Sequence, residues 1–323
     1  MRRYSWLLMG MGLWLAGCAP EYRVYELPAE SLGRETRVAH AVYFKSDAPQ
    51  LRDPSLSAFT ITSDTPGVRV ELVGWKNGKA RRPQQQRNLS VLIAWDQSAS
   101  LESTDPERRR FPAGERLVSD LPNDARIGLV NFASMGFSYA DYDVRAPMGS
   151  PKAQIIDALR LLNRSDFSMH GTPIWNTLYY GIPELLANEP PERERWVILF
   201  TDGQNETPPG VSRTEQEALQ AAQRHRVKLV FVLLGNEQTI PTYAEVYRTL
   251  EYLANATGGS VIAVDQAQDL REAFGAVLDT LEYAPCYDLH LRLHRRGGFR
   301  RGERLQLRIR VTGGKERVQT LRL

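Results

Sequence analysis

The chain has 323 residues, 42% of them hydrophobic and 24% charged, with a formal net charge of +3. That balance excludes a disordered chain, and the length is enough for two domains of ordinary size. The charge is segregated: residues 286–323 hold eleven Arg or Lys against three Asp or Glu, which leaves the rest of the chain acidic on balance.

The first residues, MRRYSWLLMGMGLWLAGC, combine Arg2 and Arg3, an apolar core from Tyr4 to Leu15, and Leu15-Ala16-Gly17-Cys18. So short a stretch has the three-part layout of a secretory signal rather than that of a spanning helix. Its ending resembles the bacterial lipobox, which implies cleavage before Cys18, a lipid on Cys18 and a mature protein anchored to a membrane of the cell envelope. Ala19 is not the aspartate that the resemblance links to inner-membrane retention, so the expected address is the periplasmic face of an outer membrane. With Cys18 lipidated, Cys286 is the one remaining thiol; no internal disulfide forms, and Cys286 reads as a small apolar packing residue. The expected organisation is a signal peptide at 1–17, a linker at 18–36, an N-terminal β segment at 37–83, a central domain at 84–284 and a basic C-terminal β segment at 285–323.

After the linker come three strand-like runs, VAHAVYF (38–44), LSAFTIT (56–62) and VRVELVGW (68–75), with Asn77-Gly78 as a hairpin signal behind the third. The middle alternates. Strands are expected at 89–95, 126–133, 137–144, 196–201, 228–234 and 260–264, and helices at 107–120, 152–162, 173–187, 213–226, 242–256 and 267–282. Near-continuous apolar strands with helices between them predict an α/β fold, a doubly wound and mostly parallel sheet covered on both faces.

At the C-terminus, Leu289, Leu291 and Leu293 alternate with polar residues, as do Leu305, Leu307, Ile309 and Val311. A period of two predicts half-buried antiparallel strands. Too few strands stand at either end for a stable domain, so the two ends are expected to combine in one small β-sandwich interrupted by the central domain. His290 and His294, with Arg292 between them, read as a solvated face rather than a metal site. The many arginines of this segment suit sheet-edge protection or an anionic surface. Phe299 is the lone aromatic of the basic hairpin, which argues against nucleic acid as a partner.

In a doubly wound sheet the functional groups lie outside the carboxyl ends of the strands. There the run LSVLIAW ends in Asp96, Ser98 and Ser100, a later loop carries Thr172 in His-Gly-Thr-Pro, and another carries Asp202 in Thr-Asp-Gly. Each has an ordinary alternative: Thr172-Pro173 as a helix start, Asp202-Gly203 as a turn, the serines as caps. Together they form a set of hard oxygen donors. Mg²⁺ takes six oxygens and is commonly held by one or two carboxylates; two carboxylates balance its charge, and the hydroxyls add dipoles without further negative charge.

In this order, Asp96-x-Ser98-x-Ser100, Thr172 and Thr201-Asp202-Gly203 resemble the metal-ion-dependent adhesion site of von Willebrand factor A domains, over residues 88 to about 284. The resemblance implies a six-stranded sheet with one short antiparallel strand, assigned here to 137–144. It also implies Mg²⁺ held by Asp96, Ser98, Ser100 and Thr172, with Asp202 acting mainly through water; Mn²⁺ and Ca²⁺ are the alternative ions. The expected partner is a protein that presents an acidic side chain to the metal, with His170, Gly203, Gln204 and Asn205 as candidate contacts beside it. No Gly-x-Ser-x-Gly elbow, His-Glu-x-x-His helix or phosphate-cradling glycine loop occurs, so no enzyme is expected. The alternatives are a structural tether whose basic β segment holds an anionic surface and, less favoured, a metal-dependent hydrolase.

Overall fold

Every residue of Leu89–Asp96 (β4) is buried, which only a central strand covered on both faces allows. In the computed structural model, described for residues 35–48, 51, 54–82, 88–133, 142–166, 171–203, 205–207 and 210–323, that strand is the third of six. Cys18, His170 and Gln204 lie outside the described residues. The sheet adds Arg126–Phe132 (β5), Tyr142–Ser150 (β6), Glu194–Thr201 (β7), Val227–Leu234 (β8) and Ser260–Val264 (β9), in the order β6-β5-β4-β7-β8-β9. All neighbours run parallel except β5 and β6. The chain leaves β4 for β5 on one side and returns to β7 on the other. The carboxyl end of β4 is therefore the crevice where strand order reverses.

Alternation along β4 divides the core. Val91, Ile93 and Trp95 pack with Arg110–Asp120 (α2), Lys152–Arg164 (α3) and Leu270–Glu282 (α7). Leu92 and Ala94 pack on the other face with Ile174–Gly181 (α4), Glu215–Arg224 (α5) and Tyr243–Thr257 (α6). The Trp95 ring lies against Phe111, Phe200 and Phe274. A Cβ at Gly114 on α2 would come within 2.5 Å of that indole, so glycine lets helix and strand approach this closely.

Several boundaries differ from expectation for local reasons. The helix expected at 107–120 is α2, which starts later, at Arg110, and an unexpected single turn at Leu101–Thr104 (α1) precedes it. Asp105 stands between the two and sets the later start, because its carboxylate accepts from the Arg109 amide at 2.7 Å and the Arg110 amide at 3.2 Å. Helix α4 passes into a π turn over Ile182–Leu186, where Pro183 has no N–H for the regular ladder. The antiparallel strand is described over Tyr142–Ser150 and extends past the expected end at 144; residues 137–141 of the expected run lie outside the described residues. Pro147 and Gly149 obscured it in the sequence; an edge strand tolerates both, and the β5–β6 register shifts there.

A second unit gathers Asp47–Gly78 and Tyr287–Leu323 with the strand that ends at Tyr43, while Lys79–Cys286 belongs to the α/β unit. Its strands come from Thr36–Phe44 (β1), Phe59–Ser63 (β2), Arg69–Arg81 (β3), Tyr283–His294 (β10), Arg304–Val311 (β11) and Arg317–Arg322 (β12), of which Phe44, residues 79–81 of β3 and residues 283–286 of β10 fall in the α/β unit. They form two three-stranded sheets, β1-β10-β3 and β12-β11-β2, each joining strands from both ends of the chain. Ala41, Tyr43, Phe59, Tyr287, Leu289, Leu291, Leu305, Leu307 and Ile309 from the two sheets share one core. The expected hairpin at Asn77-Gly78 is absent: both residues lie inside β3. Pairing with the distant β10 satisfies the β3 backbone and overrides the local turn preference.

Candidate metal-ion site

Asp96 is the last residue of β4, so its carboxylate stands where the sheet ladder gives way to loop. One oxygen accepts from the Ser98 amide at 2.8 Å and the other from the Thr201 hydroxyl at 2.6 Å, contributed by the end of parallel β7. The Ser98 and Ser100 hydroxyls are 3.1 Å apart, and Ser100 donates to Asp202 at 2.7 Å. Thr104 on α1, four residues beyond Ser100, donates to the other Asp202 oxygen. The intervening Gln97 points the opposite way, where its amide donates to the Leu162 carbonyl at 3.3 Å and accepts from Arg110.

The loops of Thr172 and Asp202 are joined by backbone. The Thr172 amide donates to the Glu206 carbonyl at 2.8 Å, and the Glu206 amide returns the bond at 2.9 Å. Gly171 makes the approach feasible: its φ is +68°, and an added Cβ would lie 2.6 Å from the Glu206 carbonyl oxygen. Thr172 does not supply the expected helix cap; the Trp175 amide at the start of α4 donates instead to the Asn205 side chain at 3.0 Å. Asn205, expected to face a partner, thus has its amide committed to the helix and to Thr207.

Asp96, Ser98, Ser100, Thr172 and Asp202 therefore converge at one end of the sheet. Ser98, Ser100, Thr172, Asp202 and Gly203 open onto a cleft of about 280 Å³, walled by Glu206 and by Thr239, Ile240, Pro241 and Thr242. Sequence reasoning missed Thr104, Glu206 and the 239–242 wall. Their signals were present: Thr104 falls one helical turn after Ser100, and the wall follows β8 at the same sheet end.

The electrostatics explain what the arrangement can hold. Asp96 is fully buried and Asp202 is 2% exposed. Burial pushes the Asp96 carboxyl up to about 7, and the Asp202 charge adds to the rise, against the bonds from Ser98 and Thr201. Asp202 is raised too, first by burial, against its bonds from Thr104 and Ser100 and the charge of Arg110. Neither carboxylate has an ion-pair partner among the described residues; Arg110 pairs with Asp105 instead. Two buried carboxylates surrounded by hydroxyls, without a cationic side chain in contact, fit a hard divalent cation.

The model of the von Willebrand factor type A domain family matches residues 90–276. The chain belongs to that family. A UPF0353 protein of Mycolicibacterium paratuberculosis is 23% identical over 214 residues, 61% of this chain and 62% of that protein, so the chain spans less than two thirds of that relative. Similar solved structures include proximal thread matrix protein 1 of the mussel byssus with a zinc-occupied MIDAS motif, at 18% identity and TM-score 0.48, covering 60% of this chain and 48% of that one. The von Willebrand factor type A protein of Catenulispora acidiphila matches at 14% identity and TM-score 0.48, over 82% and 72%. The pilus adhesin SpaC of Lactobacillus rhamnosus GG matches at 12% and TM-score 0.46, over 81% and 47%. The six-stranded sheet of this von Willebrand A domain has the mostly parallel topology with one antiparallel edge that the sequence led us to expect.

Proposed function

We propose that the protein is an envelope lipoprotein whose von Willebrand A domain binds a protein partner through a Mg²⁺-dependent contact. The observation that carries this reading is the pair of buried carboxylates, Asp96 and Asp202, held by hydroxyls without a cationic partner among the described residues, with Asp202, Ser98, Ser100 and Thr172 lining a cleft above the enclosed Asp96. In this reading Asp96, Ser98, Ser100, Thr172 and Asp202 hold the ion, which supplies an electrophilic centre for an acidic group of the partner. The chain's own part is to preset the donors. Thr201 and the Ser98 amide fix both oxygens of Asp96, Ser100 and Thr104 fix Asp202, and the Thr172–Glu206 clip sets one loop against the other. Gly203, Glu206 and the 239–242 wall are the surfaces that the partner would meet. The Leu15–Cys18 pattern supports the lipid anchor, and Ala19 supports the outer-membrane address.

The tether reading receives less support. Of the ten arginines in 286–323, Arg292, Arg295, Arg308, Arg310 and Arg317 already face Glu71, Glu303, Asp64, Glu316 and Asp47, which reduces the positive field available to an anionic surface.

The test is affinity capture from native envelope extract on the immobilised protein, in Mg²⁺ and in EDTA, beside an Asp202→Asn variant whose melting confirms that it is folded. A protein retained only with Mg²⁺ and lost with the variant is expected. An identical set of captured proteins in all three arms sinks the metal-dependent reading.

A further inference from the structure

The β unit brings together imidazoles from opposite ends of the chain. In β10, Leu289, Leu291 and Leu293 enter the core, so Asp288, His290, Arg292 and His294 take the other face. In the adjoining β1, Ala41 and Tyr43 are buried and His40 takes that same outer face. His40 Nδ1 lies 3.1 Å from Asp288 Oδ1, and His290 Nε2 lies 3.7 Å from Asp288 Oδ2. The two imidazole centroids are 4.4 Å apart, and one ligand atom from each of the three residues falls within 4.8 Å of the others.

This is not the uniformly solvated face that the sequence suggested. His290 is 7% exposed. His294 belongs to a different neighbourhood, with Thr36 Oγ1 3.2 Å from its Nδ1 and Glu71 3.5 Å from its Nε2.

We propose that His40, Asp288 and His290 form a second cation site, for a borderline transition-metal ion of the Zn²⁺ class. Two imidazole nitrogens and one carboxylate match the donors such ions select, whereas Mg²⁺ prefers all-oxygen surroundings. The two sites of this protein thus take different ions. Three protein ligands leave a fourth position for water, which is the open arrangement of tetrahedral zinc. The site must contract, since Zn–N bonds are about 2.0–2.1 Å. His40 can make that movement, because its side chain is 52% exposed on an edge strand, while the enclosed His290 gives a fixed anchor. The Lys76 ammonium, 3.6 Å from Asp288 Oδ2 and on a side chain 57% exposed, competes for the carboxylate and can swing into solvent when the ion enters. The bound ion would staple β1 to β10 across 248 residues of sequence and stabilise the β unit by mass action.

The full chain, saturated with Mg²⁺ to fill the oxygen site, is titrated with Zn²⁺ and separately with Co²⁺. One equivalent of each is expected to bind, Co²⁺ with the strong visible absorption of tetrahedral coordination and Zn²⁺ with a rise in Tm. His40→Ala, with its metal-free melt recorded separately to account for the lost Asp288 contact, weakens Zn²⁺ at least about tenfold, the loss that even supporting residues of a metal site produce. Lys76→Met tightens it, and Asp96→Ala leaves it as it was. Zinc that binds His40→Ala and His290→Gln as it binds the native protein overturns the proposal, as does zinc that fails to bind in excess Mg²⁺ or is lost only with Asp96→Ala.

Discussion

Thr201 donates its hydroxyl to Asp96 at 2.6 Å, from the end of one parallel strand to the end of its neighbour. The bond orients a carboxylate that no cationic side chain among the described residues holds, so under the proposed metal-binding function Thr201 would act on the ion through Asp96. A hydrogen bond to a charged group contributes about 1.5–3 kcal/mol, so Thr201→Val is expected to weaken Mg²⁺ affinity about tenfold or more. Calorimetric titration of Mg²⁺ checks it; the isosteric change should leave the secondary structure intact by circular dichroism.

The raised carboxyls make metal-free stability depend on pH in a defined direction. Asp96 keeps its proton in the folded state up to about 7, whereas an unfolded aspartate releases it near the ordinary value of about 3.9. Between those limits the folded state binds more protons, so stability is fully present below about pH 4 and is lost as pH rises through 7. Asp202, also raised, acts with the same sign. Melting in EDTA should show Tm falling from this site across that window. Mg²⁺ competes with the proton, so its stabilisation should be larger at pH 8 than at pH 5.

Gly171→Ala tests the clip between two loops. Its φ of +68° and the 2.6 Å approach of a Cβ to the Glu206 carbonyl force the Thr172 loop away. A loss of about 1–3 kcal/mol in stability by urea unfolding is expected, together with weaker Mg²⁺ binding. At Gly203, by contrast, an added Cβ meets nothing within 4 Å, so Gly203→Ala should melt and bind Mg²⁺ like the native protein.

Beneath the site Arg110 and Asp105, both fully buried, pair at 2.8 Å. Arg110→Met leaves the Asp105 carboxylate enclosed without its partner and is expected to destabilise by about 3–5 kcal/mol. Urea unfolding of Arg110→Met beside the double variant Asp105→Asn/Arg110→Met, which removes the charge but keeps a side-chain oxygen for the α2 amides, should show much of that loss recovered, because the penalty belongs to the stranded charge.

What could be read from the sequence followed local rules. The unbroken burial of β4 was written in LSVLIAW, and of the residues at helical spacing in 267–282, Leu270, Ala273, Phe274, Val277 and Leu281 form the buried face of α7 while Leu278 is partly buried beside them. The convergence of Asp96, Ser98, Ser100, Thr172 and Asp202 was legible because a doubly wound sheet puts its strand ends in one place. Boundaries failed where a single residue outweighed periodicity, as with Asp105 setting the later start of α2 and Pro183 opening a π turn.

Sequence alone determined the layered α/β unit and the oxygen-bearing residues that stand at its strand ends, because hydrophobic period and strand-end position are properties of contiguous residues. Tertiary structure decided whatever joined distant segments. Asn77-Gly78 stayed extended because β3 pairs with β10, Thr172 was clipped to Glu206, Thr104 reached Asp202, and His40 met Asp288 and His290 across the length of the chain. Such contacts depend on which elements become neighbours, and that is fixed by burial of the whole chain rather than by any local pattern.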